Sequence, residues 1–142
     1  MNAYFDTSAL IKLVVTEAGS DLAHALWGDS DMAMTNRVAY VEARSALAAA
    51  RRAGRLAAGA VSESRRALEE RFRAIEMIEL TPALVRSAAD LADEHALRGY
   101  DAIHLASALT LDPDDTVLVT WDRELAWGGY AAGLSLAGIQ LD

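Results

Sequence analysis

The 142-residue sequence contains no cysteine, two prolines, nine glycines, three histidines and a single lysine, Lys12. Without cysteine there is no disulfide scaffold, no thiol nucleophile and no Cys-ligated zinc, and nothing points to an oxidising compartment. Pro and Gly this sparse, beside 53% hydrophobic and 24% charged residues, exclude disordered and fibrous chains. A basic excess is also missing: 13 Lys and Arg stand against 21 Asp and Glu, a net charge of −8. Taken over the whole chain, that argues against a nucleic-acid partner, because phosphate binding normally shows as surplus positive charge. The longest uncharged stretch, Leu125–Leu141, is interrupted by Gly128, Gly129, Gly133 and Gly138 and falls short of the ~20 residues of a membrane span. Asp6, with no basic residue before it, speaks against a secretory leader. The expectation is a cytoplasmic protein with no membrane contact, folded as one domain over residues 1–142. A chain of this length buries about two-thirds of its unfolded surface without staples.

Short apolar runs alternate with longer helical patterns. Strands are predicted at Asn2–Phe5, Met32–Thr35, Glu76–Leu80, Thr116–Thr120 and Gly138–Leu141. Helices are predicted at Ser8–Val15, Asp21–Gly28, Arg37–Ala53, Ala57–Ile75, Pro82 to about Leu97, Asp101–Leu111 and Asp122–Ala132. Thr81-Pro82 supplies a hydroxyl cap and a first-turn proline, and Gly54 a stop for the helix before it. Strands separated by helices imply βαβ units, hence an α/β fold with a small, mostly parallel sheet covered on both faces.

In such sheets ligands bind beyond the carboxyl ends of the strands, near the point where the strand order reverses. Three acids are expected there: Asp6 closing Tyr4-Phe5-Asp6, Asp122 closing Leu118-Val119-Thr120-Trp121-Asp122, and Asp101 opening a helix after Gly99-Tyr100. Each alone is adequately explained as a helix cap at the positive end of the dipole. Gathered at one sheet edge, they repel one another unless a cation is present. Glu42 is not a cap, because it lies inside a helix on the stripe Val38, Glu42, Ser45, Ala49, beside an apolar Val41 row. A charge on a core-facing stripe needs a partner, either a metal or an ion pair with Arg37 or Arg44. Hard oxygen donors without cysteine favour Mg²⁺, with Mn²⁺ as the alternative, over zinc. His104, three residues after Asp101, faces either the site or the core, and core or surface is the favoured reading. Ser8 and Thr120 read as caps or turn hydroxyls, with orientation of a carboxylate or a metal-bound water as the alternative. Four carboxylates around one or two Mg²⁺ ions would acidify a bound water and clamp an in-line phosphoryl displacement.

The segments Tyr4-Phe5-Asp6-Thr7-Ser8-Ala9-Leu10, Tyr40-Val41-Glu42-Ala43-Arg44-Ser45, Tyr100-Asp101-Ala102-Ile103-His104-Leu105-Ala106 and Leu118-Val119-Thr120-Trp121-Asp122-Arg123-Glu124 carry a resemblance. In order and spacing the chain resembles the PIN-domain ribonucleases and, within them, the VapC toxins of toxin–antitoxin pairs. The resemblance implies a three-layer α/β/α domain and Mg²⁺-dependent cleavage of RNA phosphodiester bonds. It implies tRNA or rRNA as substrate class, neutralisation by a cognate VapB-like antitoxin, and a homodimer. Asp6 and Asp101 match the principal metal-binding aspartates, Glu42 and Asp122 the acids that complete the catalytic pocket, and Ser8 the following hydroxyl position. Glu124 is the nearest candidate for a further acid. The alternative is a catalytically silent RNA- or protein-binding module on the same fold. A receiver-type phosphoacceptor or an Asp-nucleophile phosphotransferase each needs a late lysine, and Lys12 lies in the first helix.

The charge is unevenly spread. Arg37–Arg73 holds nine arginines and four acids, a net of +5, which leaves −13 for the rest of the chain. Arg44, Arg51, Arg52 and Arg55 are therefore candidates for sequence-independent phosphate contacts, beside the alternatives of a solvated face or a docking surface.

Overall fold

The computed structural model describes residues 1–142. Its elements, in chain order, are β1 (Asn2–Phe5), α1 (Thr7–Val14), α2 (Ser20–Asp29), β2 (Met32–Asn36), α3 (Val38–Arg52), α4 (Ala58–Ala74), β3 (Glu76–Ile78), α5 (Pro82–His95), α6 (Gly99–Ala108), β4 (Thr116–Thr120), α7 (Arg123–Ala131) and β5 (Ser135–Gly138). The five strands form one sheet in the order β3-β2-β1-β4-β5, and every pairing is parallel.

Alternation along the strands separates two cores. Tyr4 and Leu118 turn to one face, where they pack with Leu84 of α5, Leu105 of α6 and Leu125 of α7. Ala3, Phe5 and Val119 turn to the other, against Leu10 and Leu13 of α1 and Ala23 of α2. The sheet is thus apolar on both sides, as a parallel sheet sandwiched by helices requires. Central β1 and β4 are nearly all buried, whereas β3 and β5 at the edges are not. A smaller cluster of Ala43, Leu47 and Leu68 joins α3 to α4.

Helix boundaries follow local chemistry. Thr81 accepts the Leu84 N–H at 3.1 Å as the cap of α5, with Pro82 in the first turn. Gly54, at φ +74°, follows the last residues of α3 in the left-handed conformation that stops a helix.

Three expectations need correction. The last strand is Ser135–Gly138, not Gly138–Leu141, because Leu136, Ala137 and Gly138 pair in register with Leu118, Val119 and Thr120. Register against β4 decides the edge strand, and β propensity does not. Next, α6 begins at Gly99 and ends at Ala108, so Asp101 sits within its first turn and does not open it. Finally, the core row of α3 is Ala39, Ala43 and Leu47; Val41 is 58% exposed and Ser45 faces solvent. Glu42 lies on the shoulder of that row.

Candidate active site

From β1 the chain moves outward to β2 and β3, then returns across the sheet to β4. The strand order therefore reverses between β1 and β4, and Asp6 and Asp122 follow the carboxyl ends of these two neighbours. Both do act as helix caps. Asp6 Oδ1 accepts the Ala9 N–H at 2.9 Å and Asp122 Oδ1 accepts the Leu125 N–H at 2.9 Å. Capping and site placement coexist because each carboxylate has a second oxygen.

Asp6 is 3% exposed. Ser8 Oγ donates to its Oδ1 at 2.7 Å, and Thr120 Oγ1 donates to its Oδ2 at 2.6 Å. Ser8 in turn accepts the Trp121 N–H at 2.8 Å, and Thr120 accepts the Asp122 N–H at 3.0 Å. The two hydroxyls thus orient a carboxylate, and they tie α1 to the end of β4. Burial pushes the Asp6 carboxyl above its ordinary range, opposed by nearby His104 and by the donors Thr120, Ser8 and Ala9.

Asp101 and Asp122 meet across Arg98. The guanidinium Nε lies 3.1 Å from Asp101 Oδ2 and its Nη2 lies 3.1 Å from Asp122 Oδ2. Arg98 itself is 78% exposed, so it reaches in from solvent to stand between two acids. Burial, and then the charge of Asp122, pushes the Asp101 carboxyl upward, against the pull of Arg98.

Glu42 finds neither of its expected arginine partners. Arg37 pairs with Glu79, and Arg44 donates to the Tyr40 hydroxyl at 2.9 Å. Instead Glu42 Oε1 lies 2.7 Å from His104 Nε2 and accepts from Thr7 Oγ1 at 2.8 Å. Glu42, Arg98 and Asp101 line one cavity of about 660 Å³, floored by apolar Val38, Leu80 and Ile103.

A profile of the PIN domain matches residues 3–126. The chain belongs to the PIN domain family. This PIN domain is 47% identical over 139 residues to the ribonuclease VapC49 of Mycobacterium tuberculosis, covering 98% of this chain and 96% of that one. In structure it is similar to the sarcin–ricin-loop-cleaving toxin VapC20 of M. tuberculosis, with a TM-score of 0.67 at 17% identity, covering 93% and 95% of the two chains. It is also similar to a chain of a toxin–antitoxin complex from Klebsiella pneumoniae, with a TM-score of 0.62 at 19% identity, covering 87% and 90%.

At this PIN domain's site, sequence reading misses Thr7 and Arg98 and favours a core or surface role for His104. Each touches a site acid: Thr7 and His104 reach Glu42 on α3, and Arg98 reaches Asp101 nearby and Asp122 at the start of α7. The arginines divide. Arg44, Arg51 and Arg52 line a cavity of about 390 Å³ between α3 and α4, joined by the unforeseen Arg65. Arg55 instead borders a separate hollow beside Glu17 and Leu56. Glu124, on the first turn of α7, is exposed.

The donor set suits a hard divalent cation. All candidate ligands are carboxylate or hydroxyl oxygens, and an arginine cation already bridges two of the acids. No three Asp, Glu or His side chains close into a ready-made cage. Oxygen donors of this kind suit Mg²⁺, which is bound through one or two carboxylates and keeps several waters. Asp6 and Asp101 are the residues that would hold it.

Proposed function

We propose that this PIN domain is a divalent-metal-dependent endoribonuclease, a VapC-like toxin that hydrolyses RNA phosphodiester bonds and is neutralised by a cognate VapB-like antitoxin. The observation that carries this reading is the arrangement of the acids: Asp6 and Asp122 follow the strand ends at the reversal point of the sheet, Glu42 and Asp101 line one cavity, and Arg98 joins Asp101 to Asp122. The ribonuclease name of a relative at 47% identity over nearly the whole length supports it. Bound there, Mg²⁺ or Mn²⁺ would supply Lewis acidity and lower the pKa of a water. Asp6 and Asp101 would hold it, and Ser8 and Thr120 fix the Asp6 oxygens so that they do not swing away. Glu42, which lines the cavity, and Asp122, joined to Asp101 through Arg98, would accept hydrogen bonds from the cation's waters. The same reading takes the protein as a single domain, homodimeric and cytoplasmic, acting on RNA of the tRNA or rRNA class. No helix is long and apolar enough to cross a membrane.

The reading is tested in cells by inducing the protein and mapping new RNA 5′ ends across the transcriptome, with Asp6→Asn as control. New ends at a small set of tRNA or rRNA positions, absent with Asp6→Asn, are expected. Identical maps for the two would reject it.

A cation also relieves repulsion among the acids, so metal and stability are linked. Millimolar Mn²⁺ is expected to raise the melting temperature above its value in EDTA. Arg98 performs part of this task without metal, so Arg98→Gln should lower the melting temperature in EDTA more than in Mn²⁺. Differential scanning calorimetry reads both. Equal losses under the two conditions would show that Arg98 does not compensate the acids.

The arginine-lined hollow offers backbone contacts at a distance from the acids. Each phosphate neutralised on single-stranded RNA contributes about 0.7 to the slope of log affinity against log salt. The double variant Arg51→Gln/Arg52→Gln is therefore expected to flatten that slope by about 1.4, read by fluorescence anisotropy of a single-stranded RNA in EDTA. An unchanged slope would assign these arginines to solvent or to a protein partner.

A further inference from the structure

Behind Glu42 runs a line of buried polar groups that metal coordination alone does not require. His104 is 2% exposed and Tyr4 is fully buried, both within or beside the apolar layer formed by Leu84, Leu105 and Leu118. A buried imidazole is costly unless its nitrogens find partners, and here both do. Nδ1 lies 2.8 Å from the Tyr4 hydroxyl, and Nε2 lies 2.7 Å from Glu42 Oε1. The Tyr4 oxygen also accepts the backbone N–H of Asn36 at 3.1 Å. In the neutral tautomer that carries its ring N–H on Nε2, toward the carboxylate, Nδ1 accepts the phenolic O–H. Donation thus runs one way, from Asn36 through Tyr4 and His104 to Glu42, an arrangement in which each bond polarises the next. Thr7 adds a second donor to the same carboxylate oxygen at 2.8 Å. Both donors land on Oε1, and Oε2 receives none.

Placement strengthens the point. Tyr4 precedes Asp6 by two residues on β1, and His104 follows Asp101 by three on α6. The two segments that carry the metal aspartates also carry the two groups that hold Glu42, an acid from a third element. We propose that His104, itself held by Tyr4, is a positioning residue that fixes the Glu42 carboxylate with one oxygen free for the waters of the cation that Asp6 and Asp101 would hold, and so sets the affinity for that cation. This inference rests on the metal-dependent reading above. Outer hydrogen-bond partners of this kind typically govern metal affinity by about ten- to a hundred-fold.

The test is Mn²⁺ binding to the purified full-length protein, read by electron paramagnetic resonance of the free ion. His104→Leu is expected to weaken binding by about ten- to a hundred-fold. His104→Gln, whose amide N–H can replace the Nε2 donor, should recover most of that loss. Tyr4→Phe keeps the aromatic volume, removes only the hydroxyl, and should weaken binding several-fold. In a Glu42→Gln background, His104→Leu should cost nothing more, because the histidine acts only through that carboxylate. Wild-type affinity in His104→Leu, or an equal further loss in the Glu42→Gln background, would overturn the inference. If His104→Leu does not fold, wild-type affinity in Tyr4→Phe would overturn it alone. Wild-type protein that binds no Mn²⁺ would instead reject the metal-dependent reading, and this inference with it.

Discussion

Asp6→Asn is expected to slow RNA cleavage by about 10³-fold while leaving the protein folded. A metal-held phosphoryl transfer draws several kcal/mol of transition-state stabilisation from its cation, and each ~1.4 kcal/mol is tenfold in rate. Asp6 is the most buried of the four acids and the one held by the most hydrogen-bond donors, so no neighbour can substitute for it. The same burial makes the fold tolerant of its removal. Because the folded carboxyl is pushed above its unfolded value, the folded state binds that proton more tightly. Its contribution to stability is therefore lost as pH rises through the raised value, and at neutral pH the ionised form is a cost. In EDTA the variant should melt at or above the wild-type temperature, and it should lose the rise that Mn²⁺ produces. A variant that melts well below wild type in EDTA would show that Asp6 serves the fold first.

Gly138→Ala should be among the most damaging single substitutions outside the acids. Gly138 sits at φ +114°, and a Cβ there would lie 2.1 Å from the Thr120 carbonyl oxygen. That oxygen already accepts the Ile139 N–H at 2.9 Å, so it has no room to retreat without breaking β5 from β4. Forced left-handed backbone plus a direct clash costs about 3 kcal/mol, near 10 °C in melting temperature for a chain this size. The effect should reach the site, because Thr120 also holds Asp6 through its side chain. Mn²⁺ affinity is expected to fall along with stability. A melting temperature within about 2 °C of wild type would contradict this account.

Much of this was legible in sequence where chemistry is local. Asp6 and Asp122 are readable because a β-rich run ends on an acid and a helix follows, and the caps at Ala9 and Leu125 realise that signal. Thr81-Pro82 marks its helix for the same reason. The failures concern distance and small side chains. His104 is separated from Glu42 by 62 residues and from Tyr4 by 100, so no spacing rule joins them. Arg98 is an ordinary exposed arginine until α7 brings Asp122 alongside. On α3 the alanines weaken the amphipathic pattern, and Val41 passes for core although it faces outward. β5 is an edge strand ending in glycine, and only its pairing with β4 distinguishes Ser135–Gly138 from the residues after it.

The net charge of −8, which first seemed to exclude RNA, takes a different meaning in the fold. Asp6 and Asp122 stand at the reversal point of the sheet and Glu42 and Asp101 line one cavity, whereas unpaired Arg51, Arg52 and Arg65 lie on α3 and α4. A phosphate approaching the acidic edge would meet a changed local potential once the cation is bound.

The central claim is tested most directly by incubating purified wild-type protein with total cellular RNA, in Mg²⁺ and in EDTA, and sequencing the 5′ ends produced. The account predicts discrete cleavage sites that appear in Mg²⁺, vanish in EDTA, return with Mn²⁺ and are missing with Asp6→Asn. Cleavage that persists in EDTA, or RNA left intact by wild-type protein in either metal, would contradict it.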